Sequence, residues 1–268
     1  MKRQIILAFG LASVLLGLAA WARPLVVATH AVLAELARAA GGDEVEVVSL
    51  IPAGFCPAHF DLAPSDLAAV REATVILYSG FEPWIEKLRG VAGGGAIVPV
   101  PGVWDVPSGA SAELDLVQDA LSQALPDLAA VFATNADAYR ARLAEIQARL
   151  EAQALEEGVL GIPVLSIAWQ ASFVSWLGFS IVRTYAQPDA LSLRDLANLV
   201  EIGKQRGVRL VIDNLQSGVG FGAKLAQTLG AVHVVLSTFP GALPGTPTLL
   251  DLYEANAEAL FSALVPLQ

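Results

Sequence analysis

Two side chains with metal-binding chemistry stand three residues apart in a proline-containing loop, Cys56 and His59 of Cys56-Pro57-Ala58-His59. Thiolate and imidazole suit zinc, cuprous copper or another soft ion better than manganese, and this spacing lets both turn toward one point. Cys56 is the only cysteine in the chain, so no internal disulfide can form. An inert, buried thiol is the plain alternative. Asp61 either completes or orients the pair, or caps the helix that follows. A second polar group lies far along the chain, in Asp213-Asn214-Leu215-Gln216-Ser217. There Asp213 would neutralise a cation while Asn214 and Gln216 offer carbonyl oxygens; alternatively the loop hydrogen-bonds itself. Trp169 and Gln170 put an aromatic face beside an amide, which suits an organic group or a chelate, with cleft packing as the alternative for Trp169. The other two histidines, His30 and His233, read as structural. Thiolate and neutral imidazole must lose protons to bind, so metal affinity at Cys56 and His59 should fall at acidic pH.

These residues need elements to hold them. Short β-branched runs at 25–28, 45–51, 74–78 and 96–100 alternate with helical patterns at 30–40, 64–72 and 83–88. Pro64-Ser65-Asp66 suits the N-terminus of the second helix. A second series of strands, at 163–167, 180–185, 209–213 and 232–236, alternates with helices near 193–206, 223–229 and 249–264. Between the series, residues 127–157 carry Leu128, Phe132, Tyr139, Leu143, Ile146 and Leu150 in steps of three and four, one face of a single helix. At 1.5 Å per residue it would reach roughly 45 Å. The expected fold is α/β: two lobes with parallel-type central sheets, residues 23–126 and 158–268, joined by this bridging helix. Ligands of such a protein sit where strand C-terminal ends of the two lobes face each other.

Residues 1–22 read as an export signal. Lys2 and Arg3 precede an apolar run that closes on Ala20-Trp21-Ala22, a small-x-small cleavage site, so the mature chain is expected to begin at Arg23. No cysteine ends that run to carry a lipid anchor, and no other segment is apolar for long enough to span a bilayer. A periplasmic protein without a membrane span is expected. With 55% hydrophobic residues the rest can fill well-packed cores. The net charge of −10 becomes −12 once Lys2 and Arg3 leave with the signal, which argues against nucleic acid or an anionic membrane as partner and is compatible with a cationic ligand.

Several stretches resemble the solute-binding proteins of zinc and manganese ABC importers: Val26-Val27-Ala28-Thr29, Gly41-Gly42-Asp43, Ile51-Pro52-Ala53-Gly54 leading into the stretch from Cys56 to Asp66, Ser79-Gly80-Phe81-Glu82-Pro83-Trp84, and the segment around Tyr253 and Asn256. The resemblance implies two lobes with a rigid bridging helix, and a metal held by four side chains, two from each lobe. His59 matches the first histidine. The second falls at Gly102 before Val103-Trp104, the third at Trp169, and the carboxylate positions at Asn214 and Ser237. Gly, Trp and Ser cannot supply the imidazole or carboxylate that a divalent cation needs in a dry cleft. The resemblance therefore implies a divergent member with a rebuilt site: Cys56 and His59 from one lobe, Asp213 and the amides from the other.

The chain has no G-x-S-x-G elbow, no H-E-x-x-H helix and no repeated CxxC, and the glycines of Gly218-Val219-Gly220-Phe221-Gly222 are wrongly spaced for a dinucleotide fingerprint. No enzyme and no catalytic cofactor are expected. The expected role is the periplasmic binding component of an importer, with an ABC permease and its ATPase as partners. Its ligand would be a divalent or soft metal ion, zinc first among them. A receptor for a metal chelate or small organic solute, and a periplasmic metallochaperone, are the alternatives.

Overall fold

The computed structural model describes residues 23–264, without the side chain of Ala58; the export-signal reading lies outside these residues. In the first half, strands β1 (Leu25–Ala28), β2 (Glu46–Ser49), β3 (Val75–Tyr78) and β4 (Ala96–Pro99) alternate with helices α1 (Ala31–Gly41), α2 (Pro64–Glu72) and α3 (Ile85–Arg89). All pairings are parallel, in the order β2-β1-β3-β4. Val26, Val27, Val75 and Ile76 have no exposed surface, as expected of central strands covered on both faces.

Two helices follow, α4 (Pro107–Ala124) and α5 (Ala129–Glu156). The second half then repeats the plan with β5 (Pro163–Ile167), α6 (Ala171–Trp176), β6 (Ser180–Tyr185), α7 (Leu193–Gln205), β7 (Leu210–Asn214), α8 (Gly220–Leu229), β8 (Val232–Leu236) and α9 (Leu249–Ser262). Its parallel order is β6-β5-β7-β8, the order of the first sheet. The α/β class and parallel sheets match the sequence expectation. Periodicity alone does not predict helices α4 and α6.

Helix α5 has 28 residues, roughly 42 Å of rise. Its stripe of Phe132, Tyr139, Leu143, Ile146 and Leu150 is buried in the largest core cluster, which holds residues of both halves. Glu35 of α1 fastens this junction: one carboxylate oxygen accepts the Tyr139 hydroxyl of α5, the other the backbone N–H of Leu249 that opens α9, at 2.6 Å. Burial raises the Glu35 carboxyl to about 7.

The shared strand order determines where a site can form. In each sheet the chain runs outward from the first strand to one edge and then crosses to that strand's other side. This leaves a crevice beyond the carboxyl ends of β1 and β3, and another beyond β5 and β7.

Candidate functional site

Each strand end delivers side chains to one cleft. Thr29 and His30 follow β1, Ser79 to Glu82 follow β3, and Gly102 to Trp104 follow β4. From the other sheet come Trp169 and Gln170 after β5, Gln187 after β6, Gln216 and Ser217 just beyond β7, and Ser237 to Phe239 after β8. The loop after β2 ends in a short 3-10 turn, Pro57–His59, with Cys56 at its start. These segments surround a cavity of about 350 Å³, whose lining is Cys56, Pro57, Phe81, Trp104, Trp169, Gln187, Asn214, Gln216, Ser217, Thr238 and Phe239.

Its inner wall is aromatic and held from behind. His30 is fully buried, with its ring 4.8 Å from Trp104, 5.4 Å from Phe239 and 5.6 Å from Phe81. Its Nε2 lies 2.7 Å from the Ser79 hydroxyl, and Nδ1 has no hydrogen-bond partner among the described residues. Burial holds the imidazole at about 3, so it stays neutral. Beneath it the carboxylate of Glu82 accepts the Thr29 hydroxyl and the N–H groups of Ser79 and Gly80, fixing the β1 and β3 exits together. Trp104 donates its indole N–H to the Thr238 carbonyl across the cleft at 3.2 Å, and Gln216 Nε2 donates to the Ala53 carbonyl at 2.9 Å. The two halves are thus joined by neutral hydrogen bonds at the cavity itself.

The residues singled out from sequence separate into two groups. Cys56, Trp169, Asn214 and Gln216 line the cavity. Gln170 lies just behind it, buried, donating to the Thr238 hydroxyl at 3.2 Å. His59 is exposed and is not among the cavity-lining residues, although its backbone N–H donates to the Cys56 carbonyl within the same turn. Asp61 is exposed over a different groove, beside Phe60 and Trp84, and Asp66 instead accepts the Ala63 N–H at the start of α2, at 2.7 Å. Asp61 is therefore not the cap that spacing suggests; the in-helix carboxylate three residues past the cap position has the better geometry.

Asp213 is fully buried behind the cleft rather than in it. Tyr185 donates its hydroxyl to Oδ1 at 2.7 Å, while Oδ2 accepts the Gly222 N–H at 3.1 Å and lies 2.8 Å from His233 Nε2. Gly222 is required at this approach, since a Cβ there would lie 2.2 Å from Oδ2. The strand period explains the placement: Asp213 and Asn214 are neighbours on β7 and point to opposite faces, and Asn214 takes the cleft side. Among the described residues, no group of three or more His, Cys, Asp or Glu side chains is placed to hold a metal ion.

One acidic residue escapes sequence reasoning. Glu113 of α4 is 1% exposed and neither carboxylate oxygen has a hydrogen-bond partner among the described residues. It occupies the space beside Gly102, where a Cβ would lie 2.5 Å from Oε2. Burial, then the nearby Asp105 charge, raises Glu113 to about 8; burial raises Asp105 to about 6. The folded chain therefore keeps protons that the unfolded chain releases near pH 4, and these groups' contribution to stability falls as pH rises from about 4.5 to 8. Glu113→Gln should match the parent in thermal melting at pH 5 and melt higher at pH 8.5. Parallel pH profiles would show that Glu113 is ionised throughout.

The model for "Zinc-uptake complex component A periplasmic" matches residues 26–263. The iron ABC transporter substrate-binding lipoprotein MtsA of Streptococcus pyogenes is 32% identical over 69 residues, covering 24% of this chain. The manganese ABC transporter substrate-binding lipoprotein PsaA of Streptococcus pneumoniae is 30% identical over 69 residues. In both cases the match spans only 22% of the relative's length. Among solved structures, a Mn-bound periplasmic metal binding protein from Candidatus Liberibacter asiaticus superposes with a TM-score of 0.77. It shares 16% identity and covers 90% of this chain and 100% of its own.

Proposed function

We propose that this chain, which belongs to the family of periplasmic zinc-uptake complex components, is the solute-binding component of an ABC importer and carries its cargo in the cavity between its halves. We take the lobes as residues 23–126 and 158–268, joined through 127–157, and the mature periplasmic chain as beginning at Arg23. The observation that carries the reading is that cavity: Cys56, Phe81 and Trp104 face Trp169, Asn214 and Phe239 across it, all from strand ends or the loops that follow them. A ligand seated there touches both lobes, so their relative position reports occupancy to a permease.

With a metal-free organic solute on the same scaffold as the alternative, the family's name and the names of the relatives favour a cargo that carries a metal. Cys56 is the group we assign to bond it, because the thiolate of a lone cysteine in the cavity wall is a soft ligand. Asn214, Gln216 and Trp169 surround the cargo. Asp213 acts from behind by holding the end of β7. A second reading, a bare soft ion on Cys56 and His59, is favoured by their shared turn; it requires the His59 imidazole to swing inward. No catalytic role is assigned, and no helix among the described residues is long and apolar enough to cross a membrane.

The test is reconstitution with a candidate ABC permease and ATPase from the same genome. The loaded mature protein should stimulate ATP hydrolysis in proteoliposomes above the level set by the empty protein. Equal rates with loaded, empty and omitted protein would reject the importer role.

A further inference from the structure

We propose that the cargo is a small organic ligand with a flat apolar face, free or as the shell of a chelated soft metal, that stacks on Trp169 and Phe81 with Cys56 at its edge. This rests on the cavity being the cargo site and narrows what enters it.

Three observations lead there. First, among the described residues no Asp, Glu, Lys, Arg or His lines the cavity, so a bare divalent ion would exchange its hydration for one anionic ligand at most, the Cys56 thiolate. Second, of the three side-chain amides in the lining, Gln187, Asn214 and Gln216, the oxygens of the last two are already engaged. Asn214 Oδ1 accepts the Gln216 N–H at 2.9 Å, and Gln216 Oε1 accepts the Thr238 N–H at 3.2 Å. The same Gln216 spends its Nε2 on Ala53 and Ser237. Turning either carbonyl to an ion would leave a backbone N–H unpaired, and the complex would bind correspondingly more weakly.

Third, the aromatic surface is built but uncovered. Trp104 and Phe239 are buried and stacked with centroids 6.0 Å apart, whereas Trp169 and Phe81, which line the same cavity from opposite halves, remain 49% and 41% exposed. Two large apolar rings held half in solvent at the mouth of a cavity are what an apolar face would cover. The volume of about 350 Å³ falls within the usual range for organic ligands, about 300–1,000 Å³. A lone ion would leave nearly all of it unused.

The test uses three probes on the mature protein by isothermal titration: zinc ion, phenanthroline, and their one-to-one complex. Phenanthroline is a flat aromatic chelator that leaves open positions on zinc for a thiolate. The complex should bind one per chain, and Trp169→Ala should weaken both the complex and free phenanthroline by about tenfold or more. Trp169 is half exposed, so the variant should keep the parent's melting temperature. If Cys56→Ser weakens the complex alone, the cargo is a chelate. If free phenanthroline binds as tightly as the complex and ignores Cys56→Ser, the cargo is a metal-free organic solute, which equally supports the flat-ligand assignment. Failure of both flat probes to saturate, or binding untouched by Trp169→Ala, would overturn it. Stimulation of the transporter ATPase by zinc-loaded protein in that case would leave the importer role standing with a bare ion as cargo.

Discussion

Asp213→Ala should destabilise the chain by about 3–5 kcal/mol, whether or not metal is present. The carboxylate is fully buried and takes the Tyr185 hydroxyl, the Gly222 N–H and the His233 ring nitrogen. Removing it takes the acceptor from the Gly222 N–H of α8 and the partner from the His233 ring of β8, while the Tyr185 hydroxyl of β6 keeps only the Ile212 carbonyl at 2.6 Å. A side chain serving mainly as a metal ligand would behave otherwise. Its removal would cost little in the metal-free state and would abolish metal-dependent stabilisation instead. Denaturant unfolding of parent and variant, each with and without chelator, separates the two. A loss under about 1 kcal/mol in the metal-free protein would contradict the structural assignment.

Trp104→Ala should be comparably severe, about 3–5 kcal/mol, and its effect should concentrate at the cleft. The indole contacts His30, Phe81 and Phe239 and supplies the N–H that reaches the Thr238 carbonyl of the opposite half. Truncation opens a void beside a neutral buried histidine and removes one of the direct ties between the halves. Hydrogen exchange should accelerate most at residues 29–31 and 237–239, while amides of β3 and β7 keep their protection. Uniform acceleration across both sheets would mean that Trp104 supports the fold generally and not the cleft.

Much of the fold is legible in the sequence because its signals are local. Strands such as Pro163–Ile167 and Ser180–Tyr185 are short β-branched runs with plain boundaries, and the α5 stripe repeats in steps of three and four along a 28-residue helix. Helix α4 is hidden because it opens on Pro107-Ser108-Gly109, which reads as loop, and because it buries a glutamate, Glu113, on its apolar face. Helix α6 has six residues, too few to show a period.

The site is less legible, since its residues meet only through tertiary structure. Cys56, Trp169, Asn214 and Gln216 stand out by their positions at strand exits, which order along the chain reveals. Phe81, Trp104 and Phe239 are not separable from ordinary core aromatics without the packing around His30. Asp213 reads as a cleft residue because a carboxylate at the end of a buried strand has the same sequence signature whichever face it takes. One residue of register decides between the two.

Native mass spectrometry combined with elemental analysis of the mature protein, purified without chelators, tests the cavity as the cargo site most directly. The expected result is one bound organic mass per chain, with or without a soft metal, that disappears in Trp169→Ala. A single bare metal ion retained in both Trp169→Ala and Cys56→Ser would contradict it.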